Sequence, residues 1–501
     1  MTSPAGPAAA VETLVADLLT QPWLVDLFTE LTERQAGSIA AAQRLRRVDV
    51  TNHAFWPFHA PQFPLVVTGA HGSRITDADG NTYTDCHLGF GAQALHGHSP
   101  ERVVAYVREQ AGTTTGNGYC NPVEEKLIGL LKEFVPHCEK FAFLNSGTDA
   151  TAAAVRLARA HTGRRMVAKF EGALHGVHEL GMHNTAFWYH GHPARPFPGH
   201  EESGAVTPLP ALTGVPTADP RDLLVLPDDP ERANELIVRH KDELACVLGE
   251  AVSSSFPFAE HTVPLIRSVA ETSRRLRIPF VLDEVLTGFR YGPGGAGAHF
   301  GIEADLYCYG KVISALGIPL SAVGGRADLL DHTQTSGLPL TDIGRKTCVQ
   351  TTHAGNHLAL AASYASLSLL HEQRDTYYTR TRAKVAGIRR RLAAFRDDTG
   401  IPLRLVGFGD FIGSFGFLEH ESYADYRTFA GAVNPIAFFL LTLMLRKRGF
   451  YTLSLPMLFT GGAHSEEDLD GLVTAVTDAA LELRKHDFPF ILPGPGEGGR
   501  T

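Results

Sequence analysis

The feature that most constrains the fold is an alternation of short apolar runs with helical patterns between about residues 100 and 375. Each run has the length of a strand, and helical spacing of apolar residues follows it. Strands that alternate with helices in this way form a parallel sheet covered by helices. The sequence therefore predicts an α/β fold with a mostly parallel central sheet. Its predicted strands are 141–144, 165–170, 246–250, 280–283 and 306–309.

The segments outside this region predict further units. Residues 11–47 carry leucines at helical spacing, and 65–85 carry apolar runs broken by an Asp-Gly turn, which is typical of a small β-meander. The stretch 187–230 is rich in Pro, Gly and His and predicts a long loop. The elements predicted after residue 376 are a charged helix over 377–395, strands at 403–406 and 412–417, and a last helix capped by Ser465.

A chain of 501 residues exceeds the size at which one hydrophobic core stops growing, so more than one domain is expected. We predict a large domain over 101–375 and a smaller α/β domain made of two parts. The full division is a helical extension over 1–48, small-domain parts over 49–100 and 376–490, the large domain, and a disordered tail over 491–501.

Charge and composition argue against several partners. The net charge of −9 leaves no basic surface for nucleic acid, and the arginine-rich runs 44–47 and 389–391 lie in helical patterns. The most apolar stretch, 435–445, is too short to span a bilayer, and the sequence shows no signal segment. The six cysteines form no C-x-x-C pair, which is typical of reduced thiols. We therefore expect a cytoplasmic protein that binds neither membrane nor nucleic acid.

A group of histidines raises the alternative of a metal site. They lack the accompanying Cys or Glu spacing of a zinc site, so we predict no metal. The histidines are His175, His178, His183, His190 and His192.

A small, hydroxylated segment is the first candidate for chemistry. Ser146, Gly147 and Thr148 lie between a predicted strand and an Ala-rich helix. A helix N-terminus presents free N–H groups and a positive dipole end, which suits a phosphate. An ordinary helix cap uses the same residue types, so the segment alone leaves both interpretations open.

Two charged residues follow later strands. Asp283 ends the apolar run 280–283, and ligands of parallel sheets bind beyond such strand ends. A carboxylate at this position could keep the nitrogen of a bound pyridine ring protonated. The alternative interpretation is that Asp283 is an ordinary acid in a solvated loop. Lys311 lies in an otherwise apolar stretch. Desolvation there lowers the pKa of the amine, and the neutral amine can form a Schiff base. The alternative is a lysine whose side chain extends to the protein surface.

The order of phosphate segment, strand-end carboxylate and lysine resembles the class III aminotransferases, and most closely their glutamate-1-semialdehyde aminomutase branch. The likeness extends over about residues 50–485. It implies a fold-type I PLP-dependent transferase, in which a smaller domain built from both chain ends joins the large domain. The matching motifs are 145–151, 155–163, 169–176, 283–290, 310–311 and 354–356.

The resemblance implies pyridoxal 5′-phosphate (PLP) as the cofactor. Lys311 would hold it as a Schiff base and then move protons, Asp283 would pair with the pyridinium nitrogen, and Val285 would pack on the ring. Thr352 would reach the phosphate of a neighbouring subunit, so a homodimer is expected. The other implied cofactor contacts are Ser146, Gly147, Thr148, His175 and Glu250. Leu174 departs from the family pattern, because relatives place a ring-stacking aromatic residue there.

The activity implied by the resemblance is amino transfer from an amine donor to a carbonyl acceptor through a pyridoxamine phosphate intermediate. An aminomutase or a racemase would use the same lysine, and a non-catalytic homologue that acts as a binding partner is a minor alternative.

The substrate region departs from the aminomutase branch. That branch has a carboxylate-binding arginine ahead of the first strands, and residues 52–59 contain none. Phe55, Trp56 and Phe90 offer apolar surface instead, which predicts a largely apolar or specialised-metabolite substrate. In the alternative, these aromatics belong to the core and an arginine such as Arg47 or Arg74 binds the carboxylate.

Overall fold

The described part of the N-terminal extension, residues 16–48, contains helices, as predicted, and packs on the small domain. The computed structural model describes residues 16–48, 63–114, 118–185, 197–407, 409, 411–452 and 457–491. Within the first range lie the helices Pro22–Arg34 and Ala36–Leu45. Leu24, Leu27 and Leu31 are spaced along one face of the first helix and are buried in the small-domain core.

The small domain combines strands from both parts of the chain. The meander consists of β1 (Val67–His71), β2 (Arg74–Asp77) and β3 (Thr82–Asp85), which pair antiparallel. This confirms the meander predicted over 65–85.

A seven-stranded sheet forms the large domain. Its order is β4-β10-β9-β8-β7-β5-β6, and the pairs from β9 to β6 are parallel, so the predicted sheet is confirmed. Its strands are β4 (Lys140–Leu144), β5 (Met166–Phe170), β6 (Leu223–Leu226), β7 (Leu244–Gly249), β8 (Phe280–Glu284), β9 (Leu306–Tyr309) and β10 (Ser321–Gly325).

Two strands of this sheet were not predicted. β6 lies inside the stretch 187–230 that we interpreted as loop, so that prediction was wrong for four residues. β10 pairs antiparallel with both β4 and β9 and is rich in glycine, which weakens its sequence signal. The helices of this region are Glu101–Ala111, Pro122–Phe134, Gly147–Thr162, Pro230–Arg239, Ala259–Leu276, Gly295–Phe300, Ala327–Leu330 and Pro339–Asp342.

A single 43-residue helix, His357–Thr399, joins the two domains. The helix predicted over 377–395 is therefore longer than expected. The predicted domain boundary at 375 lies within it. Leu360 and Leu367 pack in the large-domain core, whereas Ile388 and Leu392 pack in the small-domain core. Because its apolar face changes partner along its length, no break in the helical pattern marks the boundary.

The remaining strands complete the small domain. β11 (Leu403–Val406), β12 (Ile412–Phe417) and β14 (Met457–Phe459) form an antiparallel sheet, and β13 (Phe450–Tyr451) adds to β3 in parallel. The helices here are Tyr426–Ala432, Pro435–Lys447 and Glu466–Lys485. Ser465 forms the predicted cap, and its hydroxyl accepts from the Asp468 amide at 3.0 Å. The predicted tail beyond 491 lies outside the described residues.

Among the described helices, one bent pair is together both long and apolar enough to cross a membrane. Its helices are Tyr426–Ala432 and Pro435–Lys447, which meet at 60°, and no single described helix is both long and apolar enough by itself.

Candidate active site

Ionisable side chains meet at one edge of the central sheet. Because β7, β8 and β9 are parallel neighbours, their carboxyl ends lie side by side. Glu250 follows β7, Asp283 and Glu284 end β8, and Lys311 follows β9 after one glycine. The topology therefore brings together the carboxylate and the lysine that the sequence analysis singled out.

Asp283 is a buried carboxylate with an oriented partner. Its side chain is 5% exposed, which excludes the solvated loop acid considered above. Oδ2 lies 2.8 Å from Nδ1 of His175, and Oδ1 accepts from the Val285 amide at 3.0 Å. Burial lowers the pKa of His175 although Asp283 opposes that shift, so a neutral imidazole that donates through Nδ1 orients the carboxylate.

Lys311 has the surroundings of a reactive amine. Burial lowers its pKa and Arg290 adds to that effect, while Asp283 and Glu250 oppose it. The side chain remains partly accessible, and no described residue accepts a hydrogen bond from its amine. Its φ of +44° lies in the left-handed region, a strained conformation that is common at functional sites. A neutral, unengaged amine is the form that attacks a carbonyl.

Glu250 is the third ionisable group of this edge. Burial, followed by the nearby charge of Asp283, raises its pKa to about 8. Its Oε2 accepts from the Leu174 amide at 3.3 Å, so the residue that replaces the expected aromatic is fixed to this carboxyl group through its backbone.

The segment 146–148 combines a helix cap with two backbone amides that are available to an anion. Ser146 caps the helix Gly147–Thr162, because its Oγ accepts from the Asp149 amide and Asp149 accepts from the Ser146 amide, each at 3.1 Å. The cap interpretation is thus confirmed. It leaves the amides of Gly147 and Thr148 without an acceptor among the described residues. These two amides, at the positive end of a 16-residue helix, suit a phosphate.

Val285 separates the helix end from Lys311. A Cβ at Gly147 would lie 2.7 Å from Val285 Cγ1, and a Cβ at Gly310 would lie 2.9 Å from the same atom. Only glycine fits at either position. The half-buried Val285 side chain lies between the start of the helix Gly147–Thr162 and Lys311. It is therefore placed to pack against a ring that is bound between them.

The residues present fit PLP. The cofactor requires an anion site for its phosphate, a carboxylate for its ring nitrogen and an amine for its aldehyde, and the site provides all three. Gly147 and Thr148 supply the first, Asp283 the second and Lys311 the third.

The other predicted site residues have different fates. Thr352 lies in an exposed turn next to Thr351, whose Oγ1 accepts from Asn145 at 2.6 Å, and its reach across a dimer stays a prediction. Phe90 is half-buried with φ of +55°, and its ring centre lies 4.3 Å from that of His87. Phe55 and Trp56 lie outside the described residues.

The clustered histidines make other contacts. His178 Nδ1 accepts from the Gly181 amide at 3.3 Å, and His183 lies within hydrogen-bond distance of two backbone carbonyls. Among the described residues no group of three or more His, Cys, Asp or Glu side chains has the arrangement of a metal site. His190 and His192 lie beyond the described ranges.

Two buried cations near the site were missed as candidates. Lys169 is 1% exposed, and its Nζ donates to the carbonyls of Ala173, Gly181 and His183 at 2.9, 3.3 and 2.6 Å. Arg290 donates to the Gly91 carbonyl at 2.6 Å. Both residues lie in the motifs 169–176 and 283–290. Their hydrogen-bond partners are backbone carbonyls, which have no sequence signal and come close to these side chains only in the folded protein.

Comparison with known proteins agrees with this geometry. The family described as Aminotransferase class-III matches residues 57–425. The glutamate-1-semialdehyde 2,1-aminomutase of Thermomicrobium roseum is 32% identical over 426 residues, which cover 84% of this chain and 92% of that protein.

Solved structures share the fold. An omega-transaminase from Sphaerobacter thermophilus superposes with a TM-score of 0.80 at 26% identity, covering 90% of this chain and 99% of its own. A transaminase with PLP bound has a TM-score of 0.74 at 24% identity, covering 91% and 99%. The chain belongs to the class III aminotransferases, fold-type I enzymes whose cofactor is pyridoxal 5′-phosphate.

Proposed function

We propose that the protein moves an amino group within one substrate, as an aminomutase does, using PLP held at Lys311. The observation that carries the proposal is the meeting of Lys311, Asp283 and the amides of Gly147 and Thr148 at one sheet edge. The choice of an internal shift is supported by the relatives, since proteins about 30% identical over most of the chain are named glutamate-1-semialdehyde 2,1-aminomutase.

The residues of the chain have separable roles in this proposal. PLP, when bound, supplies an electron sink for the bond next to the amino carbon. Asp283 keeps the ring nitrogen protonated, and His175 holds Asp283 in one orientation. Lys311, once released from the cofactor, takes and returns a proton beside the reacting carbon. Burial and the charge of Asp283 raise the pKa of Glu250, which favours the protonated form of this carboxyl group beside Asp283 and Lys311.

Transfer between two substrates is a second candidate. The absence of an arginine in residues 52–59 separates the chain from the aminomutase pattern, and the omega-transaminase has the same fold with a TM-score of 0.80. A largely apolar amine would then contact Phe90, and a dimer would bring Thr352 to the phosphate of the partner copy.

Product balance distinguishes the two candidates. We expect the holoenzyme to convert glutamate-1-semialdehyde to its amino-shifted isomer with no added carbonyl acceptor, because the amino group returns to the same molecule. Chromatography of substrate, isomer and free carbonyl product measures the balance. Turnover that requires separate donor and acceptor, with one carbonyl product released per amine consumed, would instead establish transamination.

Phe90→Ala tests the substrate contact. Either side chain carries a Cβ at φ of +55°, so the backbone strain stays constant while most of the ring surface is lost. We expect KM for the preferred substrate to rise about tenfold, as the loss of roughly 1–2 kcal/mol of apolar contact requires, with kcat nearly constant. Steady-state kinetics checks the split between the two constants. An unchanged KM would remove Phe90 from the substrate site.

A further inference from the structure

The predicted substrate residue Phe90 lies in a strained turn over residues 88–91. All four residues have φ values in the left-handed region, which are +48°, +62°, +55° and +76° in chain order. Glycine occupies the second and fourth positions, but Leu88 and Phe90 carry side chains that disfavour this conformation. Such strain persists only where the surrounding contacts impose it. The contacts that fix this turn therefore also fix the ring of Phe90.

The start of the turn is held by residues that come just before it in the chain. Oδ1 of Asp85 accepts from the amides of His87 and Leu88, at 2.8 and 3.0 Å. The amide of Phe90 donates to Nε2 of His87 at 2.9 Å. These contacts are local, so they set the shape of the turn but do not join it to the large domain.

The end of the turn is held by Arg290, which belongs to the large domain. Nη2 of Arg290 donates to the Gly91 carbonyl at 2.6 Å, and the guanidinium carbon lies 5.5 Å from the ring centre of Phe459. A Cβ at Gly91 would lie 2.6 Å from the same Nη2, so only glycine allows this approach. Burial lowers the pKa of Arg290 to about 10, so the group still donates as a cation at neutral pH.

Arg290 is part of the frame that carries the active site. It ends the segment 283–290, which begins with Asp283. The ring centre of the adjacent Phe289 lies 5.4 Å from that of Tyr309, at the end of β9. Burial, and then the positive charge of Arg290, lower the pKa of Lys311. One side chain therefore joins the strained turn to the sheet edge where the reactive lysine lies.

We propose that Arg290 is a positioning residue, which holds the turn 88–91 and thereby sets the place of the Phe90 ring relative to Lys311. The inference rests on the proposed function in one respect, since it assumes that Phe90 contacts the substrate. Arg290 contacts the turn, so its effect on substrate binding passes through Phe90. Replacing Arg290 should therefore loosen the turn and weaken substrate binding together.

Arg446 provides a matched control. It is 4% exposed, against 3% for Arg290. Its guanidinium group also donates to one carbonyl, that of Phe63, and lies 5.3 Å from the ring centre of Tyr451. Nε of both arginines has no hydrogen-bond partner among the described residues. Replacing either with methionine removes the same buried cation and the same kinds of contact, so Tm should fall by similar amounts. A difference between the two variants at the turn therefore reports the position of Arg290.

Hydrogen exchange of the holoenzyme, measured by mass spectrometry, tests the turn without any substrate. The amide of Ala94 donates to the Gly91 carbonyl at 3.1 Å and reports on the turn. We expect peptides within 86–97 to exchange about tenfold faster in Arg290→Met, because one charge-assisted hydrogen bond is lost, and within about twofold of wild type in Arg446→Met. Equal exchange in Arg290→Met and wild type would overturn the proposal.

A double-mutant cycle tests the link between Arg290 and Phe90. For whichever substrate the enzyme turns over, by internal shift or by transfer, we expect Arg290→Met to raise KM about fivefold. In the Phe90→Ala background the same change should raise KM by less than about twofold, because both substitutions remove the same contact. Arg446→Met should leave KM within about twofold in either background. Effects of Arg290→Met and Phe90→Ala that simply multiply would contradict a role through Phe90.

Failure of the proposed substrate contact gives a different pattern. An unchanged KM in Phe90→Ala, with faster exchange in Arg290→Met, would remove Phe90 from the substrate site and the positioning role with it, but not the link between Arg290 and the turn. Arg290→Lys, which keeps the charge and one donor, takes the place of Arg290→Met if that variant does not fold. It should change exchange and KM in the same direction, and unchanged values of both would overturn the proposal.

Discussion

Replacing Lys311 with alanine is expected to abolish turnover, with a loss of about 10⁴-fold or more, because both the covalent attachment and the proton transfer depend on this amine. PLP should still bind the variant, since Asp283 and the amides of Gly147 and Thr148 remain. Kinetics and the cofactor content of the purified variant measure the two effects separately.

Borohydride reduction of the wild type gives the matching positive result. Lys169 is the control within the same chain, because burial lowers its pKa to about 7 and pKa alone would mark it as reactive. Its amine, however, donates to three carbonyls, whereas the amine of Lys311 has no acceptor in the described part of the chain. Peptide mapping should place the reduced cofactor on Lys311 alone. Label on Lys169, or turnover in Lys311→Ala, would refute the assignment.

Asp283→Asn is expected to lower kcat by about 10²- to 10⁴-fold while the fold persists, because an amide no longer holds the ring nitrogen protonated. Asparagine keeps the shape of aspartate and can still meet Nδ1 of His175. Kinetics, together with thermal unfolding of the holoenzyme, separates chemistry from stability.

Glu284→Gln is the matched control for this variant. Glu284 is the adjacent buried carboxylate, but it accepts from the amides of Ala296 and Gly297, at 3.1 and 2.6 Å, and from Thr287. Its loss should cost about 1–3 kcal/mol of unfolding free energy and change kcat only a few-fold. A near-normal kcat in Asp283→Asn, or equal losses in the two variants, would contradict the division of roles.

The positions of Asp283 and Lys311 could be predicted from the sequence because the carboxyl ends of neighbouring parallel strands lie at the same edge of the sheet. Asp283 and Lys311 follow consecutive apolar runs, and that order alone brings them near each other. The interpretation of Ser146 was harder, since capping and anion binding use the same residues. The structure shows that the hydroxyl caps the helix while the next two amides remain available.

Features that depend on tertiary partners could not be predicted. β6 lies in a stretch with loop composition and becomes a strand because β5 offers it an edge. The helix His357–Thr399 continues through the domain boundary because both cores use its apolar face.

Because the small domain is built from distant parts of the chain, it cannot be completed until late in synthesis. Ser73, at the meander, donates to Asp468, which lies 395 positions later in the chain, and His464 contacts the Asp85 carbonyl across 379 positions. At about 5–20 residues per second, the ribosome needs roughly 20 to 80 s to produce those partners. Throughout that interval the edge of β3 that later pairs with β13 has no strand to bind, while the intervening sheet can already form. The emerging polypeptide therefore carries an open strand edge for most of its translation.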